Sequence, residues 1–507
     1  MVIVDISREH GSTAGLAKKA AEGSLLEILA ATVTRHGDRL AIDAADDVLT
    51  YRELYEAAER LAEELSEAGV GPGDRVGIHL PSGTSELYVG ILGVLCAGAA
   101  YVPVDADDSP RRAAAIWEQA GVCGALERGL RFQRLGPGAG ARHGRDLTAQ
   151  DDAWIIFTSG STGQPKGIAI SHGSAAAFVN AEARLWSISP EDRVLAGLSV
   201  AFDASCEEMW LAWGSGATLV PAPRGLVRAG ADLGPWLAAR EVSVISTVPT
   251  LAAMWEEDAL AGVRLLILGG EACAAELAWR LARGREVWNT YGPTEATVVS
   301  TAARIRPGEP VTIGWPLAGW DVAVLDERER PVAFGEPGEL VIGGVGLGRY
   351  LDPVLDAERY AGLPALGWER AYRSGDIVRE TIEGLDFIGR RDDQVKLGGR
   401  RLELAGGRSL RAADRRGRRA RRAACQHADP DLARARRSGS DGGVAGRFAR
   451  VVHRGSGARD RRAAHRRGRE RWHSHAARSR REYRRGRGDR ARQRDRGGDP
   501  RRGALGR

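Results

Sequence analysis

Between residues 25 and 390, short aliphatic and β-branched runs alternate with helical repeats, and this alternation admits few folds. Arg75–Leu80, Tyr101–Val104, Ala153–Phe157, Ile168–Ile170, Val194–Leu198, Val242–Thr247 and Leu265–Leu268 read as buried strands. Between them lie amphipathic stretches such as Tyr51–Ala68, with Leu54, Leu61 and Leu65 on one face and Thr50 placed to cap it. Strand and helix taking turns over this length predicts an α/β fold, with a large N-terminal part of parallel sheets flanked by helices. From Val311 to Val378 the strands shorten and Gly and Pro punctuate them, which predicts a small β-rich subdomain. Phe132–Gln150 is polar and Gly-rich and reads as loop. Leu87–Val104, 18 residues without charge, is at the lower edge of a membrane span. Gly98 and Pro103 interrupt it, so the expectation is a buried helix to about Ala97, a turn, a buried strand and no membrane span.

Charge divides the chain in two. Residues 406–507 contain 34 arginines, no lysine and 10 acidic residues, a net +24, whereas the preceding 405 residues carry 39 basic and 57 acidic side chains, a net −18. The acidic body argues against a specific nucleic-acid partner, because phosphate binding needs surplus cations. The five cysteines (Cys96, Cys123, Cys206, Cys273 and Cys425) form no CxxC pair, and the N-terminus lacks a long apolar stretch. Reduced thiols and a cytoplasmic protein are the expectation.

One loop carries explicit chemistry. "FTSGSTGQPKG", Phe157–Gly167, follows a buried strand. Gly160, Gly163 and Gly167 let backbone N–H groups turn toward an anion; Thr158, Ser159, Ser161 and Thr162 add hydroxyls and Lys166 a charge. Such a nest suits a polyphosphate, although no GxxxxGK[ST] frame fits.

With this loop in place the chain resembles the AMP-binding, acyl-adenylating superfamily, in particular adenylation domains of nonribosomal peptide synthetases. The resemblance rests on eight motifs in order: "LTYREL" (Leu49–Leu54), "LCAGAAYVPVD" (Leu95–Asp105), the phosphate loop, "FDAS" (Phe202–Ser205), "NTYGPTE" (Asn289–Glu295), "GELVIGGVGLGRYL" (Gly338–Leu351), "YRSGD" (Tyr372–Asp376) and "GRRDDQVKLGGRRLEL" (Gly389–Leu404). It implies the boundaries 1–24 for an N-terminal arm, 25–391 for the AMP-binding domain and 392–405 for a hinge and the start of a C-terminal domain that is not completed. It also implies ATP and Mg2+ as cofactors, an amino acid as substrate, and a carrier protein as a partner, with phosphopantetheine only on a separate or lost carrier domain.

Site residues follow from the same resemblance. Glu295 would hold Mg2+ beside ATP phosphates, Tyr291 offers a ring to adenine, Asp376 suits the ribose hydroxyls, and Arg390 suits the ribose or phosphate side. The family's pocket pattern carries onto Asp203, Ala204, Glu207, Ser246, Ile267, Gly269, Thr290, Val298 and Val299. Asp203 would take the substrate's α-ammonium, which speaks against the alternative of an acyl- or aryl-CoA synthetase. Glu207 then remains as a second carboxylate whose burial calls for a cation, so lysine, ornithine or diaminobutyrate is the expected substrate. The stretch "FDASCEEMWLAW" is similar to the adenylation domain of poly-lysine-type homopolymer synthetases.

After Leu404 the resemblance stops. The family continues with a Gly-Glu-Ile-like helix start and a domain bearing a catalytic lysine; here "AGGRSL" follows, and residues 405–507 lack lysine altogether. GGGGAGATCGCTG reads Gly-Glu-Ile-Ala in one frame and, one base later, Gly-Arg-Ser-Leu, the residues Gly407–Leu410. The expectation is a frame lost near Ala405–Gly407 by mutation or sequencing error, a disordered Arg-rich tail over 406–507 and impaired adenylation. A selected basic arm and a non-catalytic nucleotide-binding remnant are the competing readings, and the tail would bind polyanions incidentally.

Overall fold

Capping decides where the first helices begin. In the computed structural model, which describes residues 22–138, 145–158, 165–230, 232–391, 394–397 and 400–403, α1 (Leu25–His36) starts from Ser24 and α2 (Tyr51–Glu67) from Thr50. Both carry a capping box: the Glu53 N–H donates to Thr50 Oγ1 at 3.2 Å and the Thr50 N–H to Glu53 Oε2 at 3.0 Å, satisfying donors the helix leaves open. The predicted face of α2 is buried at Leu54, Leu61 and Leu65. α3 (Ser85–Cys96) is buried on every side from Leu87 to Leu95 and ends before Gly98, whose φ of +80° turns the chain. No described helix is long and apolar enough to cross a membrane. α4 (Pro110–Ala120) opens on a proline and closes on left-handed Gly121.

Two large sheets follow. The nine-stranded sheet has at its centre six parallel strands, β1 (Leu40–Asp43), β10 (Thr218–Pro221), β9 (Arg193–Ala196), β11 (Val244–Thr247), β12 (Leu265–Leu268) and β13 (Glu286–Tyr291). Antiparallel strands finish both edges: β2 (Val48–Thr50) on one, β14 (Thr301–Arg304) and β15 (Trp315–Pro316) on the other. The seven-stranded sheet has parallel β5 (Gly124–Glu127), β3 (Arg75–Ile78), β4 (Ala100–Pro103) and β7 (Asp152–Thr158). β8 (Lys166–Ser171) and β18 (Arg349–Tyr350) continue it antiparallel, and β6 (Arg131–Arg134) closes the far edge.

One expectation needs correction. Phe132–Gln150 is not all loop, because Phe132–Arg134 pair with β5 as an edge strand whose polar side chains face water. The parallel sheets also carry antiparallel strands: β7 and β8 form a hairpin, so the hydroxyl-rich segment joins two antiparallel strands.

α5 (His172–Trp186) packs on β7 and β8, α6 (Ala204–Trp213) packs on β9, β10 and β11, and the two helices touch each other. Trp154, Trp186, Trp210 and Trp213 are fully buried in this layer, each contributing about 1.5–3 kcal/mol of apolar burial. The expected β-rich subdomain is an antiparallel sheet of β16 (Trp320–Leu325), β17 (Pro337–Gly344), β20 (Trp368–Thr381), β19 (Tyr360–Leu363) and β21 (Gly384–Arg390). β22 (Gln394–Leu397) and β23 (Arg400–Glu403) form a hairpin of their own. The chain divides into two units, Met1–Ala420 and Arg421–Arg507, and every described residue belongs to the first. The expectations for 1–21 and 404–507, and those for Ser159, Gly160, Ser161, Thr162 and Gly163, lie outside the described residues.

Gly314 joins the small sheet to the large one. It bridges Leu385 of β21, has φ +76°, and a Cβ there would sit 1.9 Å from the Ala302 carbonyl oxygen. Gly314→Ala is expected to destabilise the protein by about 2–4 kcal/mol, read as a lower midpoint in urea unfolding; an unchanged midpoint would contradict this packing.

Candidate active site

Parallel strands leave a crevice beyond their carboxyl ends, and the sequence-predicted pocket residues gather there. Ser246 and Ile267 are partners across β11 and β12, Gly269 follows β12, and Thr290 is one residue from the end of β13. A Cβ on Gly269 would lie 2.5 Å from Thr290 Oγ1, so only glycine fits against that threonine. Thr290 Oγ1 donates to the Leu268 carbonyl at 3.2 Å. Val298 and Val299 stand across the turn from Gly292, where an added Cβ would meet the Val298 carbonyl oxygen at 2.2 Å. Thr297 and Val298 have φ of +60° and +61°, a conformation β-branched residues avoid, and Thr297 Oγ1 anchors the turn by donating to the Gly346 carbonyl at 2.6 Å.

The acidic end comes from α6, which starts where the chain leaves β9. Asp203 occupies the N-cap position and is buried, and its side chain makes no capping bond; Ala204 beside it is half-buried. Glu207 lies one turn further along on the same face. It is 2% exposed, and Ser246 Oγ donates to its Oε2 at 2.9 Å. Glu208 points elsewhere, accepting from the Gly197 and Leu198 N–H groups at 2.9 and 3.1 Å. Glu182, on α5, meets Glu207 and is 1% exposed. Burial pushes Glu207 up to about 7, with Ser246 and Glu182 opposing the rise. Burial and the neighbouring Glu207 hold Glu182 well above the usual carboxylate range.

A second cluster lies at the end of β13. Tyr291 donates its hydroxyl to Asp376 Oδ2, and Arg390 Nη1 approaches Asp376 Oδ1 at 2.5 Å. Asp376 is 3% exposed at this junction of β13, β20 and β21, and the Tyr291 ring lies 6.4 Å from that of Phe387. Glu295, buried in the turn after β13, accepts the Tyr350 hydroxyl on its carboxylate and the Tyr360 hydroxyl on its carbonyl at 2.7 Å. Tyr350 belongs to β18, which pairs with β8, and the Leu351 N–H donates to the Gly167 carbonyl at 2.9 Å. Thr158 faces Lys166 across the β7–β8 pair. The ends of the hydroxyl-rich segment are thus tied through Tyr350 to Glu295, and Glu295 is four residues from Tyr291.

Glu182, Tyr350 and Tyr360 escaped the sequence reading. Glu182 had a signal: Phe178, Glu182 and Trp186 share one α5 face at i, i+4 and i+8, so a carboxylate interrupts an aromatic stripe.

A family model described as AMP-binding enzyme matches residues 29–350. The chain is 40% identical over 402 residues to phosphinothricin tripeptide synthetase of Streptomyces viridochromogenes, covering 74% of this chain and 37% of that protein. It is 36% identical over 402 residues to delta-poly-L-ornithine synthetase of Acinetobacter baumannii, covering 75% of this chain and 30% of that one. It therefore spans about a third of either relative's length. Among solved structures it is similar to a four-domain nonribosomal peptide synthetase bound to AMP and glycine, with TM-score 0.65 and 33% identity, over 76% of this chain and 30% of that one. It is also similar to the N-terminal subdomain of Klebsiella oxytoca NpsA in complex with 3-hydroxybenzoyl-AMSN, with TM-score 0.64 and 27% identity, over 73% of this chain and 98% of that one.

Proposed function

Since this chain belongs to the AMP-binding enzyme family, as an adenylation domain of the nonribosomal peptide synthetase type, we propose that it activates an amino acid with a second ammonium group, ornithine or lysine foremost, as its aminoacyl-adenylate. The observation that carries the choice of substrate is Glu207: a buried carboxylate on the same helix face as Asp203, perturbed by Ser246, Glu182 and Asp203, none of them a cation. Two acids one helical turn apart, ~6 Å along the axis, suit one molecule with two ammonium groups. Delta-poly-L-ornithine synthetase, similar over the same span, names ornithine as its own building block.

Asp203 takes the α-ammonium, and Glu207 with Ser246 takes the side-chain ammonium. Ala204, Ile267, Gly269, Thr290, Val298 and Val299 form the walls. The Thr158–Gly167 segment, including Ser159, Gly160, Ser161, Thr162, Gly163 and Lys166, receives the triphosphate. Tyr291 packs against adenine, Asp376 receives the ribose hydroxyls, and Arg390 moves its charge toward ribose or phosphate. The substrate carboxylate forms a bond to the α-phosphorus as the bond to pyrophosphate breaks, so the work of the protein is positioning and charge stabilisation.

Among the described residues no group of three or more His, Cys, Asp or Glu could hold a metal ion. A single carboxylate with phosphate oxygens is what Mg2+ accepts, and Glu295, oriented by Tyr350, fits that role. When bound, Mg2+ offsets charge on the leaving pyrophosphate. The four described cysteines are free thiols, in keeping with a reducing cytoplasm. The acceptor of the product is a carrier protein, a reading supported by two similar solved proteins that contain adenylation and carrier domains together.

Amino-acid-dependent pyrophosphate–ATP exchange across a substrate panel tests this reading. Ornithine or lysine is expected to exceed neutral amino acids at least tenfold. Exchange only with acids lacking an amino group would make the chain an acyl- or aryl-activating enzyme, and ATP binding without any exchange would make it a nucleotide-binding remnant. For residues 406–507 we keep the reading of a changed frame: DNA one base out of register is expected to encode a lysine-bearing C-terminal domain, and an uninterrupted frame confirmed by mass spectrometry would remove it.

A further inference from the structure

We propose that Glu182 is a positioning residue that determines specificity in this pocket: as a neutral carboxyl it donates to Glu207 and holds that carboxylate ionised and aimed at the substrate's second ammonium. The inference rests on the reading of Glu207 as the contact for that ammonium.

The geometry leaves little else. Glu182 and Glu207 come from neighbouring helices and are 1% and 2% exposed. With both ionised, Glu182 Oε1 and Glu207 Oε1 would be sealed from water with no donor. Ser246 supplies one O–H and directs it to Glu207 Oε2. Among the described residues Asp203 and Glu208 are the other charged groups acting here, and both are acids. Glu208 turns away to two backbone N–H groups, and burial holds its carboxyl well above the usual carboxylate range as well. One proton held on Glu182 removes both defects: it supplies the missing donor to Glu207 and brings the pair to a single negative charge. That charge matches one ammonium, so a diamino acid enters without leaving net charge in a dry cavity. A neutral side chain would leave the remaining charge uncompensated. The directions of the two shifts agree, with Glu182 the more strongly raised and its bond lowering Glu207.

The test uses the full chain with Glu182→Gln, Glu182→Met and Glu207→Gln. Ornithine and lysine affinities are measured by calorimetry from pH 6 to 9 with a non-hydrolysable ATP analogue present. Glu182→Gln keeps an N–H donor and is expected to stay within threefold of wild type. Glu182→Met removes the donor, so affinity is expected to fall at least tenfold at pH 7 and to recover partly by pH 9 as Glu207 ionises. A Glu182→Met profile parallel to wild type overturns the inference. If wild type favours neutral amino acids and Glu207→Gln changes nothing, the substrate reading has failed instead. The pair is then judged without ligand: Glu182→Gln is expected to raise the melting temperature more at pH 8.5 than at pH 5.5, and an equal shift at both overturns it.

Discussion

Glu207→Gln is expected to weaken ornithine and lysine binding by about 10²- to 10³-fold while making the ligand-free protein more stable at pH 7. Removing one partner of a buried ion pair costs about 3–5 kcal/mol, and every 1.4 kcal/mol is about tenfold in affinity. The stability change has the opposite sign. The Glu207 carboxyl is raised from 4.5 to about 7 in the folded protein. Between those values the native state binds more protons than the unfolded chain, so wild-type stability falls as pH rises through that window. The loss levels off at about 3–4 kcal/mol above pH 7, from about 1.4 kcal/mol per unit. Glutamine imitates the protonated acid and does not suffer it. Melting curves at pH 5 and pH 8 should show the variant gaining at the higher pH, and calorimetry should show the lost affinity. Unchanged ornithine affinity would remove Glu207 from the pocket.

Asp203→Ala should act on every amino acid alike. The α-ammonium is common to the whole panel, and leaving it without a buried counter-charge costs about 10³-fold in affinity. Asp203 sits at the start of α6 without making a capping bond, so the usual penalty for losing a cap, about 1 kcal/mol, is not among the costs to the fold. The contrast is the diagnostic: Asp203→Ala lowers the whole panel, whereas Glu207→Gln lowers only diamino acids. An Asp203→Ala protein that binds ornithine normally would remove the α-ammonium assignment, however the second acid behaved.

What the chain discloses before folding is local physics. The cap at Thr50, the turn at Gly98 and the buried runs of β3, β7, β11 and β12 are written in neighbouring residues, and all appear as expected. Strand direction is not local. Ile168–Ile170 is as apolar as any parallel strand, and only its pairing with β7 makes it half of a hairpin. Arg131–Arg134 offers no apolar run to read, because an edge strand facing water needs none. The ordered motifs bring Asp203, Glu207, Ser246, Thr290, Tyr291, Glu295 and Asp376 to one end of the nine-stranded sheet. The groups that orient them come from far along the chain: Tyr350 lies 55 residues beyond Glu295. Long-range partnership of that kind leaves no periodicity to read.

The turn at Thr297 and Val298 is a spring already wound. Two successive β-branched residues in a left-handed conformation hold back about 1–3 kcal/mol apiece, and glycine or asparagine at either position would let that tension go. Laboratory selection for heat tolerance alone should therefore harvest changes at Val298 before Thr297, which also anchors the turn on Gly346, and the proteins it favours should discriminate less sharply among substrates, because the pocket wall proposed for Val298 and Val299 would no longer be clamped.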